Sequence, residues 1–277
     1  MALKLMYITN RPDVACIAEN AGVDRVFVDM EYIGKADRQG GMDTVQSRHT
    51  LEDVAAIRAV LTKAQLMVRC NPIHGATAEY GSSREEIDGI IARGADVIML
   101  PYFKTVEEVR KFIEYVDGRA VTLLLVETPE AVACIDEILE LPGIDELFIG
   151  LNDLSLGYGR KFMFELLADG TVEKLCEKFR KKGIPYGFGG IASLGKGLLP
   201  SEYVIMEHYR LGSTCAILSR SFCNMSREAD AKRVETIFQR GLQEIRRFEA
   251  TCPQRLDEYE SNRLNVADIV KKIVEQG

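Results

Sequence analysis

Short apolar stretches recur along the whole chain, and segments with helical spacing separate them. Each stretch has the length and the unbroken apolar character of a strand that is buried on both faces of a parallel sheet. The alternation predicts eight parallel strands with crossover helices, and therefore a single closed (β/α)8 TIM barrel of the α/β class. The eight stretches are LKLMYIT from Leu3, RVFVDM from Arg25, QLMVRC from Gln65, DVIMLP from Asp96, AVTLLLVE from Ala120, ELFIG from Glu146, IPYGFGG from Ile184 and TCAILS from Thr214.

An open, doubly wound sheet is the competing architecture, because it also alternates strands and helices. Such a sheet normally carries a glycine-rich GxGxxG turn after its first strand, whereas TNRPDVA follows the first apolar stretch here. The barrel is therefore favoured.

Helix starts and a C-terminal segment complete the predicted organisation. Three pairs have the spacing of a capping box: Thr50 with Asp53, Ser83 with Glu86, and Thr105 with Glu108. An amphipathic helix is expected from Glu228 to Phe248. We thus expect a barrel domain in residues 1–250 and an extension in residues 251–277, either an extra packed helix or an arm that grips a neighbouring subunit.

Composition narrows the class of protein. The 277 residues include 35 basic and 42 acidic side chains, a net charge of −7 that argues against nucleic acid or an anionic membrane as a general partner. Seven scattered cysteines without a CxxC pair, the absence of a signal-peptide pattern and the absence of a long apolar run predict a soluble, cytoplasmic protein.

Two carboxylates stand where a barrel places its chemistry, at the C-terminal ends of the strands. Glu127 ends the fifth apolar stretch and Asp153 follows the sixth. Neighbouring strands lie about 4.8 Å apart, so the two side chains could converge, and like charges that close need a cation or a proton between them. Oxygen ligands without a nearby histidine or cysteine suit Mg²⁺ or Mn²⁺. From the residues alone, two solvated loop acids remain the alternative.

An arginine at the end of the third stretch is a candidate for binding an anion. The guanidinium of Arg69 could hold a carboxylate or an enolate oxygen, with Asp29 and Glu31 of the second stretch in support. The alternative is a structural ion pair with one of those acids. Glu31 could also support a metal-bound water.

His49 and His74 follow the second and third stretches, so both are candidate general bases on the catalytic face. The alternative for each is a surface position. His208 is expected on an outer helix. The long polar segment 32–50 carries Lys35, Arg38, Arg48 and a Gly40–Gly41 pair, and is either a lid for an anionic substrate or a solvated loop.

Five motifs together resemble the metal-dependent 2-oxo acid aldolase and citrate lyase β-subunit family. They are VDME, VRCNP, GADVIMLP, VETPEA and FIGLNDLS, in the family's order over roughly residues 20–220. The resemblance implies a TIM barrel, usually a homo-oligomer, that makes or breaks a carbon–carbon bond next to a 2-oxo acid or a thioester.

The same resemblance implies roles for individual residues. Glu127 and Asp153 would bind the divalent ion, and Arg69 would stabilise the enolate. The amides from Gly150 through Leu151 and Asn152 would receive the substrate carboxylate.

The chain departs from the family in the proton-transfer half of the site. Pyruvate aldolases carry histidine after the strand-two glutamate, where this chain has Tyr32, and glutamine at the position of Leu125. The thioester lyases carry Glu-Asp where this chain has Glu31-Tyr32. What the resemblance implies is nevertheless a divalent-metal-dependent lyase that acts on a 2-oxo acid to give pyruvate and an aldehyde. The alternatives are a citramalyl- or malyl-type thioester lyase, or a barrel that binds a metal or ligand without catalysis.

Overall fold

The computed structural model is a closed barrel, and it describes residues 2–34, 49–78, 80–224, 228 and 230–276. The eight strands pair in parallel in chain order, and the last strand pairs with the first. All eight apolar stretches contain a strand, so the prediction of a TIM barrel is confirmed. The strands are β1 Lys4–Ile8, β2 Arg25–Asp29, β3 Gln65–Arg69, β4 Val97–Leu100, β5 Val121–Val126, β6 Glu146–Ile149, β7 Tyr186–Ile191 and β8 Cys215–Leu218.

Helices surround the barrel and connect its strands. Those within the described residues are α1 Pro12–Ala21, α2 Leu51–Val60, α3 Ser83–Ala92, α4 Val106–Val116, α5 Pro129–Ala133, α6 Ile135–Ile138, α7 Leu151–Gly157, α8 Glu165–Ala168, α9 Thr171–Lys182, α10 Ser201–Leu211, α11 Ala231–Glu249 and α12 Tyr259–Gln276. None of these helices combines the length and the apolar character needed to cross a bilayer.

Two of the three predicted capping boxes are present, at the starts of α2 and α4. The third prediction was wrong by one residue, because Ser82 with Glu85 caps α3. The hydroxyl of Ser83 is instead engaged with the backbone amide and the ring of His74. The Ser83 hydroxyl therefore bonds within the preceding loop, and the Ser82 hydroxyl caps the helix.

The inside of the barrel is filled with side chains except at its C-terminal end. Nine inward-facing residues form one apolar cluster: Met6, Phe27, Met67, Val97, Met99, Leu123, Leu125, Phe148 and Cys215. Below this cluster, Arg25 and Glu146 are paired at 2.8 Å, and Lys4 lies 2.9 Å from the same glutamate. Room for a ligand therefore exists at the C-terminal ends of the strands, as in other TIM barrels.

The chain ends in a helix that packs on its own barrel. Helix α12 lies against α8 and α10. Its Asn262 donates to Glu207 at 2.9 Å and to the carbonyl oxygen of Tyr203 at 3.1 Å, and Glu207 is fully buried. The predicted C-terminal helical extension is confirmed, as a packed helix.

Candidate active site

A cavity of about 500 Å³ opens at the C-terminal ends of the strands. Its floor is apolar, because Phe27, Met99, Leu125 and Phe148 of the inner cluster form it. Most of the predicted site residues line it together: His49, Arg69, Glu127, Gly150, Leu151, Asn152 and Asp153. Glu31 and His74 do not line it.

The two predicted metal ligands reach this cavity from neighbouring strands. Glu127 follows β5 and is 3% exposed, whereas Asp153 lies in the first turn of α7, after β6, and is 8% exposed. The backbone amide of Tyr102, a residue with a left-handed φ of 49°, donates to Glu127 Oε1 at 3.0 Å. The loop after β4 therefore holds one oxygen of this carboxylate.

A glycine makes room for the other oxygen. A Cβ atom at Gly150 would lie 2.7 Å from Glu127 Oε2 and 2.7 Å from Glu127 Cβ. Even alanine at this position would displace the carboxylate. The backbone after β6 is therefore shaped around Glu127.

This set of donors fits a divalent ion that prefers oxygen. Glu127 and Asp153 present carboxylates to one cavity, and the third acid there, Asp29, is bound to Arg69. Within the described ranges, no three His, Cys, Asp or Glu side chains gather as a metal site of their own. Two carboxylates would leave coordination positions for water or a chelating substrate, which suits Mg²⁺ or Mn²⁺ better than zinc.

Arg69 combines the two interpretations that the sequence left open, since it is ion-paired and also lines the cavity. Its Nε and Nη2 atoms donate to the two oxygens of Asp29 at 2.8 and 2.7 Å, and Nε lies 3.4 Å from Glu31. Burial lowers the pKa of Arg69, but the charges of Asp29, Glu31 and Glu127 outweigh it and raise the pKa. The guanidinium is therefore a fixed, permanent positive charge at the cavity wall.

The residues from Gly150 to Asp153 form the start of α7 at the same wall. Gly150 is the N-cap, and no side chain caps the helix there. The amides of this first turn lie among residues that line the cavity.

His49 is the histidine that reaches the cavity. The backbone amide of Asp29 donates to its Nδ1 atom at 2.9 Å. A nitrogen that accepts a hydrogen bond carries no proton, so the neutral ring has its proton on Nε2. His49 can therefore donate a hydrogen bond through Nε2, whereas taking up a proton at Nδ1 would break its bond to Asp29.

The other two histidines have local partners. The ring of His74 contacts the carbonyl oxygens of Pro72 at 2.8 Å and Gly81 at 3.1 Å, within the loop that follows β3. His208 lies on α10, as expected of an outer helix, and its ring stacks on Phe188 at 3.9 Å. Neither is brought to the cavity.

Tyr32, at the position where the resemblance expects histidine, does not line the cavity. The residue is 44% exposed, its ring packs edge-on against Tyr80, and its backbone amide donates to the side-chain oxygen of Asn71 at 3.0 Å. Glu31 beside it is fully buried. The predicted lid residues Lys35, Arg38, Arg48, Gly40 and Gly41 lie outside the described residues.

Two parts of the cavity wall were missed by the sequence reasoning. Residues 9–11, after β1, and residues 219–220 and 223–224, after β8, also line the cavity. The signal was available, since the rule that was applied to β2 through β7 applies equally to the first and last strands of a barrel.

Comparison with known proteins identifies relatives of this chain. The model of the HpcH/HpaI aldolase/citrate lyase family matches residues 4–185, from β1 to just before β7. A hydroxypyruvate/pyruvate aldolase of Sagittula stellata is 25% identical over 224 residues, which are 68% of this chain and 76% of that protein.

Solved structures of the same family share the fold. An HpcH/HpaI aldolase from Desulfitobacterium hafniense DCB-2 has a TM-score of 0.59 at 18% identity, over 85% of this chain and 93% of the other. An aldolase/citrate lyase family protein from Burkholderia cenocepacia J2315 has a TM-score of 0.58 at 15% identity, over 88% and 95%. The family resemblance and the enzyme class that it implied are both confirmed: the chain belongs to the HpcH/HpaI aldolase/citrate lyase family, a family of carbon–carbon lyases.

Proposed function

We propose that this protein is a divalent-metal-dependent aldolase that cleaves a 4-hydroxy-2-oxo acid to pyruvate and an aldehyde. The observation that carries the proposal is that Glu127, Asp153 and Arg69 line one cavity, with Arg69 fixed by both oxygens of Asp29. The relative named as a hydroxypyruvate/pyruvate aldolase supports pyruvate as the product.

The role of each site residue follows from its charge or from the hydrogen bonds that it can donate. A divalent ion held by Glu127 and Asp153 would supply Lewis acidity at the 2-oxo acid and so lower the energy of the enolate. The Arg69 guanidinium stabilises the negative charge that develops as the C3–C4 bond breaks, and Asp29 keeps it in position. The first-turn amides of α7, from Leu151 to Asp153, orient the substrate carboxylate.

Proton transfer is assigned to water, and His49 assists it with a hydrogen bond. When the C3–C4 bond breaks, the C4 hydroxyl loses its proton to water in the open cavity, and the enolate carbon gains one. His49 donates a hydrogen bond through Nε2 to the C4 oxygen, because its Nδ1 atom is occupied by the Asp29 amide. This arrangement replaces the histidine that the resemblance expects at position 32.

The test is exchange of the C3 protons of pyruvate in D₂O, followed by proton NMR. We expect exchange with Mg²⁺ or Mn²⁺ and none with EDTA. The variant Glu127→Gln should lower the exchange rate by at least about 10²-fold, because it removes a metal ligand while keeping the side chain's shape.

A matched control stands three residues away. Glu130 is an exposed residue of α5 that pairs with Lys104 at 3.0 Å, outside the cavity. Glu130→Gln should leave exchange unchanged. Exchange that persists in EDTA, or in Glu127→Gln at the wild-type rate, would contradict metal-dependent enolisation and favour thioester cleavage or a binding role.

A further inference from the structure

A buried asparagine and a glutamate stand beside the end of β3, in positions that the proposed reaction does not yet use. Asn71 lies two residues after Arg69, and Glu86 lies in the first turn of α3. Glu86 Oε1 accepts the backbone amide of Asn71 at 3.1 Å and its side-chain amide at 2.8 Å. Neither Asn71 nor Glu86 lines the cavity. Helix α3 therefore holds both the backbone and the side chain of Asn71.

The other end of the Asn71 carboxamide faces the loop after β2. Its Oδ1 atom accepts the backbone amides of Tyr32 at 3.0 Å and Ile33 at 2.9 Å. An ionised carboxylate can only accept hydrogen bonds and a backbone amide can only donate one, so a single orientation of the carboxamide satisfies all three neighbours. This position therefore requires a side chain that donates on the α3 side and accepts on the β2 side.

The loop that Asn71 holds begins with two acids that contact Arg69. Asp29 binds the guanidinium with both oxygens, and the fully buried Glu31 has a carboxylate oxygen 3.4 Å from Arg69 Nε. The backbone amide of Glu31 donates to Asp29 Oδ1 at 3.2 Å. The two amides that bind Asn71 follow Glu31 directly in the chain. The backbone that carries both acids is therefore fixed from the side of α3.

Strands β2 and β3 are thus joined twice at their C-terminal ends. One connection is the ion pair of Asp29 with Arg69, and the other is the pair of hydrogen bonds from residues 32 and 33 to Asn71. One connection alone would let the two strand ends rotate against each other, whereas two connections fix both their separation and their rotation. A shift of about 1 Å at a reacting group can lower a rate by about 10²-fold. The second connection therefore bears on how accurately Arg69 is positioned.

We infer that Asn71, held by Glu86, is a positioning residue for the reaction: it fixes the loop that carries Glu31 and, through this loop, the orientation of the Arg69 guanidinium. The inference rests on the proposed function and adds to it two residues outside the cavity. The orientation of Arg69 depends on the direction of the hydrogen bonds between Asn71 and Glu86, rather than on the charge of either residue.

The experiment reverses the direction of one hydrogen bond. In Asn71→Asp, two carboxylates face each other where the side-chain bond of 2.8 Å stood, and the connection to the β2 loop should loosen. Adding Glu86→Gln places a carboxamide opposite the new carboxylate. Its nitrogen can donate to one carboxylate oxygen at position 71, and its oxygen can accept the backbone amide there, which already lies 3.3 Å from Glu86 Oε2. The other oxygen at position 71 still accepts from Tyr32 and Ile33, so the double variant restores every contact.

The rate of pyruvate C3 exchange per folded molecule should fall by about tenfold or more in Asn71→Asp. It should return to within about threefold of wild type when Glu86→Gln is added. Binding of Mn²⁺, followed by electron paramagnetic resonance, should change by less than about threefold in both variants, because neither residue lines the cavity. If Asn71→Asp does not fold, the double variant is compared with Glu86→Ala, which removes the acceptor without opposing two charges.

The matched control is Glu85→Gln. Glu85 is the neighbouring carboxylate in the same turn of α3, where it accepts the backbone amide and the hydroxyl of Ser82 and so caps the helix. This variant should lower the melting temperature slightly and leave the exchange rate unchanged. It therefore separates a general loosening of α3 from an effect that passes through Asn71.

A further variant tests whether Asn71 acts through Arg69. In the background of Arg69→Lys, adding Asn71→Asp should lower the remaining rate by less than about twofold, because the group that Asn71 positions is already altered. Three results would overturn the inference while leaving the aldolase proposal intact: a wild-type rate in Asn71→Asp, no recovery in the double variant, or an equal loss with and without Arg69→Lys. Absence of pyruvate exchange in the wild-type protein would remove both proposals together.

Discussion

Each end of the barrel holds an arginine that is bound to a carboxylate and mostly shielded from solvent, but only the pair at the C-terminal end lines the cavity of the candidate active site. At the N-terminal end, Arg25 pairs with Glu146 at 2.8 Å, and the side chain of Arg25 is 1% exposed. At the C-terminal end, Arg69 binds both oxygens of Asp29 and also forms part of the cavity wall. The chemical group is the same, and the surroundings differ.

The difference indicates what each pair does. Burying two charges costs desolvation free energy that their attraction only partly returns, so a buried pair is poor evidence for stability by itself. Arg25 is bonded to Glu146 and Gln65, its side chain is 1% exposed, and it does not line the cavity. Arg69 keeps one side towards the cavity. We therefore propose a structural role for the first pair and, as part of the proposed function, a chemical role for the second.

The largest expected effect is that of Arg69→Lys on the reaction. Lysine keeps the charge but loses the planar fork that binds both oxygens of Asp29. The rate of pyruvate exchange should fall by about 10²- to 10³-fold, while the melting temperature changes by a few degrees at most. NMR exchange and calorimetry measure the two. A rate of pyruvate exchange in Arg69→Lys within about threefold of wild type would contradict a chemical role for the Arg69 pair.

The next effect is that of Arg25→Met on stability. It leaves Glu146, which is 8% exposed, with Lys4 as its remaining cation. The free energy of unfolding in urea should fall by about 3 kcal/mol, with unchanged activity per folded molecule. The double variant Arg25→Met with Glu146→Leu should recover most of this loss, because no buried charge is then left without its main partner. A rate loss larger than the loss of folded protein would argue against a purely structural pair.

The pH dependence of this second variant has a definite sign. Burial raises the pKa of Glu146, but Arg25 and Lys4 lower it further, so that it lies below its ordinary value of 4.5. The stability that comes from the ionised pair is therefore fully present above pH 4.5, and it is lost as the pH falls through the lower pKa of the folded state. Arg25→Met should weaken this acid-dependent loss.

The smallest expected effect belongs to His208, a buried ionisable group that takes part in neither pair. Burial lowers its pKa to about 3, against an ordinary value of 6.5. The unfolded chain therefore binds a proton that the folded protein does not, and stability should fall as the pH drops from 6.5 towards 3, by at most about 1.4 kcal/mol per pH unit.

The variant His208→Phe keeps a ring stacked on Phe188 and removes this proton. Urea unfolding at pH 6 and pH 5 measures the slope, which should be smaller in the variant than in the wild-type protein. If the unfolding free energy changes equally with pH in both proteins, groups other than His208 cause the loss of stability between pH 6 and pH 5.

The strands and the region of the site could be predicted from the sequence, because both depend on short-range patterns. Continuous apolar runs identify strands that are buried on both faces, and the residue that ends a run then falls at the C-terminal edge of the barrel. Glu127, Asp153 and Arg69 were placed in this way. Arg11 and Arg220 follow the same rule, and they were missed because the first and last strand ends were not considered.

Side-chain direction within the loops could not be predicted. His49 and His74 both follow strands on the same face of the barrel, yet His49 reaches the cavity and His74 does not. Which ring turns inward depends on the partners that the folded loop offers, such as the Asp29 amide for His49 and the Pro72 carbonyl oxygen for His74. No spacing in the sequence reports such contacts.

The packing of α12 on α10 is the last step in the assembly of this fold during synthesis. Glu207 is made before the last strand, but the Asn262 side chain that helps to bury it is made after all eight strands. During synthesis, the face of α10 that carries this carboxylate is therefore uncovered when all eight strands of the barrel have already been synthesised. A nascent chain should thus pass through a stage with a formed barrel and an open flank, where a chaperone or a protease would find it.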